Sequence, residues 1–559
     1  MRLPVFTWLR GYDRSGIRGD LVAGLTVWAV LVPEALAYAT IAGVSPVVGL
    51  YAAPGALILY AAFGSSRHVV TGPMAATAAL SAAAVGDLAA DGSDKFVQLT
   101  ITLGLVVGIL AVAAGLARLG FLASFISEPV LKGFIVGLAL TIIAGQLPKL
   151  FGVEKGEGDF FRQLWDLVSN LDATSGLTPL VGLLSLALVI VLKETAPVVP
   201  GSLVAVLLGI LAVHLFDLDE HGLAIVGEID SGLPSFGLPD VAAHSYLDIA
   251  PAAIGVMLVG FAESLGAAKT YAARNHYEID ANRELIGLGA ANLGAGLSSG
   301  MVVNGSLSKT AVNASAGARS QVSGLVVAAL TVVTLLFLTG LFEDLPEATL
   351  AAVVIAALVE LVDVPALVAL YRLHTTGLGR IYGIASRPDF MAAVAAMLGV
   401  LIFDTLPGLF IGIAISLLLL LYRASRPNVA RLGRVPGAPG QYTDVARHPE
   451  NESVPGIVVM RPESGLFFAN ADAVRDRIRS AAATPGTTGI VLDAGTMPFI
   501  DVTAATMLGQ LVDDLERDGI RLVLARDIGQ VRDLLGASEA GGVLRAYPTI
   551  EDAVRALAP

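Results

Sequence analysis

Glu34, Glu263 and Lys309 each sit within a long apolar run of this 559-residue sequence. An ionisable group deep in a membrane-spanning segment is costly and rarely faces lipid, so it marks an ion path or a paired contact. The three are read together as parts of one site. Lys309 supplies a formal positive charge to an anion and is also a partner for a carboxylate. The two roles coexist if an arriving anion competes for the Lys. A carboxyl in low dielectric favours its neutral form, and two carboxylates beside one anion site repel the anion unless at least one is protonated. Proton and anion then favour each other's binding, which is coupled transport by linkage. Glu263 is the coupling candidate, with Glu34 second.

The surroundings of these residues repeat. Val32-Pro33-Glu34-Ala35-Leu36-Ala37-Tyr38-Ala39 and Phe261-Ala262-Glu263-Ser264-Leu265-Gly266-Ala267-Ala268 both place Leu two residues after Glu, then small residues. Further along each half comes an interrupted apolar span, Thr71-Gly72-Pro73-Met74-Ala75-Ala76-Thr77 and Asn304-Gly305-Ser306-Leu307-Ser308-Lys309-Thr310. Seven spans separate the halves, so the second enters from the opposite side, as in an inverted-repeat transporter with broken helices meeting near the midplane. A helix starting there offers unpaired backbone N–H groups and the positive end of its dipole. Two facing starts make an anion site. Pro73 suits the first turn of such a helix, and Gly305 allows a sharp turn before the second. The substrate-binding candidates are Glu34, Tyr38, Thr71, Pro73, Met74, Ala75, Ser306, Leu307, Ser308 and Lys309. The backbone starts take precedence over the hydroxyls, and Tyr38 and Thr77 serve equally well in helix packing.

The elements that must position these groups follow from composition. Hydrophobic residues make up 55% of the chain and charged ones 15%, against about 25% charged in an ordinary globular domain. With a mean hydropathy of +0.75, this is a polytopic α-helical membrane protein embedded in a lipid bilayer. Runs at 20–42, 44–63, 69–86, 95–117, 128–148, 177–193, 198–216, 246–268, 284–300, 305–318, 320–340, 346–362, 388–405 and 408–423 give about fourteen spans. Loop charges fix their sidedness. Arg67, Arg118, Lys132, Lys193, Lys269, Arg274, Arg283, Arg319, Arg372, Arg380, Arg387, Arg423 and Arg426 fall on one side. Asp87, Asp91, Asp94, Asp217, Asp219, Glu220, Glu228, Asp230, Asp240, Glu343 and Asp344 fall on the other; Lys95, Lys149, Lys155 and Arg162 break the pattern. Basic loops face inward, which puts both termini in the cytoplasm. Residues 1–19 form a cytoplasmic segment and 20–426 the transmembrane domain. Residues 427–455, rich in Pro, Gly and charge, read as a linker. Residues 456–559 alternate strand and helix patterns, as in a small α/β domain.

Other chemistries are excluded. With no Cys there is no disulfide or thiolate metal site, and the seven His lack ligand spacing. No cofactor or metal is expected. A net charge of −13 excludes a nucleic-acid partner. Ser306-Leu307-Ser308-Lys309 matches a Ser-x-x-Lys acyl-enzyme pattern, but its companion motifs are missing, so no catalytic residue and no enzymatic activity are assigned.

The stretches Gly19–Thr26 and Pro33–Ala39 resemble the first-helix signature of the SulP sulfate-permease and anion-transporter family. Glu263 with Lys269, Tyr277–Leu285 and Gly305–Asn313 resemble it too, and Phe467–Ala471 with Pro498–Thr503 resembles the STAS domain that follows these transporters. The resemblance implies a seven-plus-seven inverted repeat in which a core domain (spans 1–4 and 8–11) carries substrate past a gate domain (spans 5–7 and 12–14). It implies a homodimer with cytoplasmic STAS domains, and small anions as substrates: sulfate first, with bicarbonate or dicarboxylates as alternatives. It links Glu263 to proton or sodium coupling. Many members carry Gln at the position of Glu34 and Arg at that of Lys309. Lys keeps the charge but loses the planar fork that grips an oxyanion. Thr503 stands where bacterial STAS regulators are phosphorylated and is the regulatory candidate; its favoured role is as N-cap of the following helix. Three alternatives stand beside the coupled transporter: an uncoupled exchanger or channel, a membrane sensor signalling through the STAS domain, and a nucleobase carrier, against which the Lys309 charge argues.

Overall fold

The computed structural model describes residues 5–6, 8–9, 12, 14–90, 92–121, 127–154, 156, 158–174, 176–196, 199–359, 361–372, 387–403, 405–538 and 543–558. Asp91, Lys155 and Arg380 lie outside the described residues. Two compact units emerge: Met1–Leu370 with Asp389–Ser416, and Tyr371–Pro388 with Leu417–Pro559.

The first unit is helical, and the boundary with the second falls inside its last helix at Ser416 and at the sequence-adjacent ends of the two helices before it. Its first half runs α1 (Ile17–Ile41), α2 (Pro46–Phe63), β1 (Val70–Gly72), α3 (Ala75–Gly86), α4 (Asp94–Leu116), α5 (Glu128–Phe151), α6 (Phe160–Ser169), α7 (Leu177–Thr195) and α8 (Gly201–Phe216). The second runs α9 (Ser245–Asp248), α10 (Ala250–Arg274), α11 (Ala281–Leu297), β2 (Asn304–Ser306), α12 (Leu307–Ser315), α13 (Val322–Phe337), α14 (Glu347–Val359), α15 (Val364–Arg372), α16 (Arg387–Phe403) and α17 (Thr405–Ser425). Each of the fourteen apolar runs holds a helix. Among the described residues, eight helices are long and apolar enough to cross a membrane. The two interrupted runs are shorter because each begins with a strand.

Small residues set the packing around those strands. Helix α11 lies between α2 and α4, at a separation only glycine permits. A Cβ on Gly55 or on Gly294 would meet the other residue's carbonyl oxygen at 2.4 Å, and Gly108 and Gly289 face each other across α4 and α11 in the same way. Helices α1 and α2 pack on α13, and α14 packs on α5 and α7. Two fully buried carboxylates tie loops to this frame. Asp20 accepts from Arg319 N (2.6 Å), Ser320 N (3.1 Å), Ser320 Oγ (2.7 Å) and Tyr12 Oη (3.1 Å). Glu284 accepts from Tyr60 Oη (2.7 Å), Ser65 N (2.7 Å), Ser65 Oγ (2.6 Å) and Ser66 N (2.9 Å).

The second unit carries a six-stranded sheet ordered β4-β3-β5-β6-β7-β8. Its strands are β3 (Val429–Arg434), β4 (Tyr442–Asp444), β5 (Ile457–Pro462), β6 (Gly489–Asp493), β7 (Arg521–Ala525) and β8 (Ala546–Tyr547), and its helices are α18 (Ala471–Ala482), α19 (Val502–Arg517), α20 (Gly529–Ala537) and α21 (Ile550–Leu557). Strands β5 to β8 are parallel, while β3 pairs antiparallel with both β4 and β5. The strand period of two divides the core. Ile490, Leu492, Leu522 and Leu524 pack with α18 and α19, and Val459, Val491 and Val523 pack with α21. The stretch 427–455, read from composition as a linker, contains β3 and β4 of this sheet: its Pro and Gly residues mark turns between strands.

Candidate anion-binding site

The two interrupted spans meet through their strands. Val70 pairs with Ser306, Thr71 with Gly305 and Gly72 with Asn304, antiparallel, with all six residues buried. Three-residue strands are marginal alone, and side chains hold this pair. Val70 N donates to Thr310 Oγ1 at 3.2 Å, Gln321 Nε2 to Val69 O at 2.9 Å, and Asn313 Nδ2 to His68 O at 2.9 Å. Gly305 N donates to Ser264 Oγ at 2.7 Å, which clamps β2 onto α10. Gly305 is extended strand here, with no sharp turn. Glycine suits the close approach, since a Cβ would lie 3.0 Å from Ser264 and Val69 and press them apart.

Antiparallel strands launch helices that begin close together and point apart. Helix α3 starts at Ala75 with Met74 as its N-cap and no side-chain cap, so the N–H groups of Ala75, Ala76 and Thr77 have no intrahelical acceptor. Pro73 precedes the cap and is not in the first turn. Helix α12 starts at Leu307 with Ser306 as N-cap, whose Oγ accepts from Lys309 N at 3.1 Å. This start is therefore partly capped, against the expectation of two equally bare ends. Leu307 and Ser308 are exposed, and Ser308 Oγ lies 3.1 Å from Ser306 Oγ.

Lys309 turns inward and is 1% exposed. Its Nζ donates to Glu34 Oε2 at 2.5 Å and stands 5.1 Å from the centre of the Tyr38 ring. One turn of α1 separates Glu34 from Tyr38, so both face the ammonium. Of the three ionisable residues, Lys309 and Glu34 thus form one pair. Glu263 is held elsewhere, accepting from Asn304 Nδ2 at 2.8 Å. Thr71 is fully buried in β1, and its Oγ1 has no hydrogen-bond partner. Thr77 Oγ1 donates back to Met74 O at 3.2 Å.

The sulfate permease family model matches residues 17–383, and the STAS domain model residues 448–553. A "Probable sulfate transporter" of Mycobacterium tuberculosis is 37% identical over 537 residues, covering 96% of this chain and 94% of that one. The chain belongs to the sulfate permease family. "High affinity sulfate transporter 1" of Stylosanthes hamata is 30% identical, covering 100% of this chain and 86% of its own. Sulfate permease relatives are thus named as transporters and not as enzymes. The murine Solute Carrier 26 family member A9 anion transporter in the inward-facing state shares the fold with a TM-score of 0.88 at 23% identity, over 99% of this chain and 94% of that chain. The transmembrane domain of a cyanobacterium bicarbonate transporter has a TM-score of 0.61 at 23% identity, over 72% and 98%. At these identities the likeness is one of fold.

Within the STAS domain of this sulfate permease member, Thr503 does not cap α19. Asp501 is the N-cap: its Oδ1 accepts from Ala504 N at 2.8 Å, and its Oδ2 accepts from Phe468 N at 2.9 Å. Thr503 lies in the first turn, exposed. Reading the sequence for intramembrane charge missed Asp20, Glu284 and Asn304. Asp20 and Glu284 stand at helix starts, where acidic residues are ordinary, and an Asn raises no hydropathy alarm. An acidic residue opening a span whose preceding loop is polar was the available signal.

Proposed function

We propose that this chain is a secondary active transporter of small anions, coupled to protons, with sulfate leading and bicarbonate or dicarboxylate as alternatives. The observation that carries this reading is the juxtaposition of two helix starts across β1 and β2, with Lys309 buried in the first turn of the second. The N–H groups of Ala75, Ala76 and Thr77 and those at Leu307 and Ser308 supply donors, and Lys309 supplies charge once Glu34 releases it. The names of the relatives support anion transport, and sulfate before other anions. Proton coupling rests on Glu263 and Glu34, since a carboxylate that must be neutral for the anion to bind links the two.

The core is α1–α4 with α10–α13, joined by glycine seams that favour motion as one body. The gate is α5, α7, α8, α14, α16 and α17. Translation of the core past the gate is the elevator step, and the antiparallel strand pair supports the inverted repeat. Basic loops support cytoplasmic termini and a cytoplasmic STAS domain. The family resemblance supports a homodimer.

The test is uptake of radiolabelled sulfate, bicarbonate and succinate into proteoliposomes, with and without an inward proton gradient. Stimulated uptake of one anion is expected. Gradient-independent exchange would instead favour an uncoupled exchanger. One observation favours that second reading: the Lys309–Glu34 pair is already neutral overall, and a permanent pair needs no proton.

A further inference from the structure

We propose that Asn304 relays the protonation state of Glu263, and not the proton itself, to the anion site by reversing its side-chain amide. The inference rests on the proton-coupled reading above and names the residue that connects its two halves. Asn304 is fully buried, and its two amide atoms are unequally used. Nδ2 donates to Glu263 Oε2 at 2.8 Å, while Oδ1 is buried with no partner.

Asn304 and the bare helix start are neighbours along two routes. Asn304 pairs with Gly72, just before the Met74 N-cap of α3. A Cβ built on Gly260 of α10 would sit 3.3 Å from Asn304 Cβ and 3.6 Å from Thr77 Cγ2. Asn304 and Thr77, in the first turn of α3 whose N–H groups are uncapped, therefore pack on the same glycine of α10.

The chemistry follows from what each partner can donate. An ionised carboxylate only accepts, so it takes an amide N–H and leaves the amide oxygen turned the other way. That orphaned acceptor repels an anion. A protonated Glu263 donates, and the acceptor within its reach is Oδ1. Rotating the amide by about 180° exchanges O and N with almost no change of shape. Its N–H groups then occupy the place of the orphaned oxygen. Protonation on one side of Asn304 thus changes the other side from acceptor to donor.

Few charges compete with this relay. Of the elements packed on α10, α3 and β2 carry no titratable residue, and α12 carries Lys309, held by Glu34. Helix α11 carries Arg283 and Glu284, the latter held by Tyr60, Ser65 and Ser66. Helix α4 carries Asp94 and Lys95 at its start, and α9 carries Asp248, 4.0 Å from His244. On α10 itself, Lys269 and Arg274 are exposed on later turns.

The experiment uses full-length protein in proteoliposomes and whichever of radiolabelled sulfate, bicarbonate and succinate the wild type carries. It reads the ratio of gradient-driven to gradient-free uptake as a function of pH. Coupling free energies of the usual size change affinity about 5- to 150-fold. Asn304→Ala is expected to bring the ratio to about one, and to flatten the pH profile, as Glu263→Gln does. The combined variant adds nothing further, because both changes break one relay. Asn304→Asp keeps the shape but lacks the amide, and its carboxyl shares a proton with Glu263; its profile moves to higher pH. Wild-type ratios in both Asn304 variants, with the ratio lost in Glu263→Gln, overturn the relay and leave the coupling reading standing. A wild-type ratio in Glu263→Gln, or no gradient response in the wild type, overturns the coupling reading and the relay with it.

Discussion

Lys309 Nζ and Glu34 Oε2 lie 2.5 Å apart, joining the first turn of α12 to the middle of α1. In the proposed anion site, the Glu carboxylate takes the place beside Lys309 that a substrate anion would need. Removing one member of such a buried pair leaves an uncompensated charge, at a cost of about 3–5 kcal/mol. Lys309→Met is therefore expected to lower the thermal midpoint sharply and to abolish uptake. Glu34→Gln/Lys309→Met is expected to recover the midpoint but not the uptake, since it restores neutrality without restoring the cation. Midpoints in detergent and uptake in liposomes check both. Recovery of uptake in the double variant would show that Lys309 only ties helices together.

The bare start of α3 can be tested without disturbing its fold. Met74 is extended at φ −138° and ψ 146°, which suits a residue before proline, and proline is at home in the first helical position. Ala75→Pro thus removes one N–H while keeping the helix. A hydrogen bond to a charged group contributes about 1.5–3 kcal/mol, so KM for the anion is expected to rise at least about tenfold with protein yield unchanged. An unaltered KM would remove the Ala75 N–H from the site.

Glu284 makes the opposite prediction, of stability without selectivity. All of its partners in the Tyr60 and Ser65–Ser66 cluster are donors. Glu284→Gln sets an amide N–H against them and leaves buried donors unmatched, which costs about 1–3 kcal/mol per group. A lower midpoint and yield are expected, while the preference among sulfate, bicarbonate and succinate in the surviving protein stays that of the wild type. A changed preference would move Glu284 into the transport path.

The fourteen apolar runs were legible because lipid admits few polar backbones, and each run holds a helix. Two of them were legible as interrupted, although Pro73 precedes the helix cap and Gly305 lies in extended strand, not in a turn. What the sequence hid were contacts without periodicity. A three-residue strand such as Asn304–Ser306 has no room to show an alternation, and its pairing with Val70–Gly72 joins residues far apart in the chain. Free N–H groups were expected at both helix starts, yet Ser306 caps its own helix; a serine two positions before another serine gives no hint of which one caps. Lys309 with Glu34, and Glu263 with Asn304, were equally open to other pairings, because three charges in apolar runs do not say which two touch. The strands at Val429–Arg434 and Tyr442–Asp444 were masked by the Pro- and Gly-rich turn between them.

The last prediction concerns the STAS domain and acid. Glu463 closes β5 against the chain entering β3. Burial alone would raise its carboxyl, but Asn428 Nδ2 at 2.9 Å and the Arg461 guanidinium at 3.0 Å outweigh it, with Arg447 adding charge, and hold it below the usual carboxylate range. A folded value below the unfolded one means that the ionised form binds the fold more tightly. That stabilisation is complete above the unfolded value, near 4.3, and disappears as pH falls through the folded value. The unfolding transition of the C-terminal unit, followed by calorimetry of the full chain, is therefore expected to drop more steeply below about pH 4.3 in the wild type than in Glu463→Gln. The variant starts from a lower midpoint, because it has already lost the charged acceptor. Parallel curves would mean that Asn428 and Arg461 hold Glu463 no better than water does.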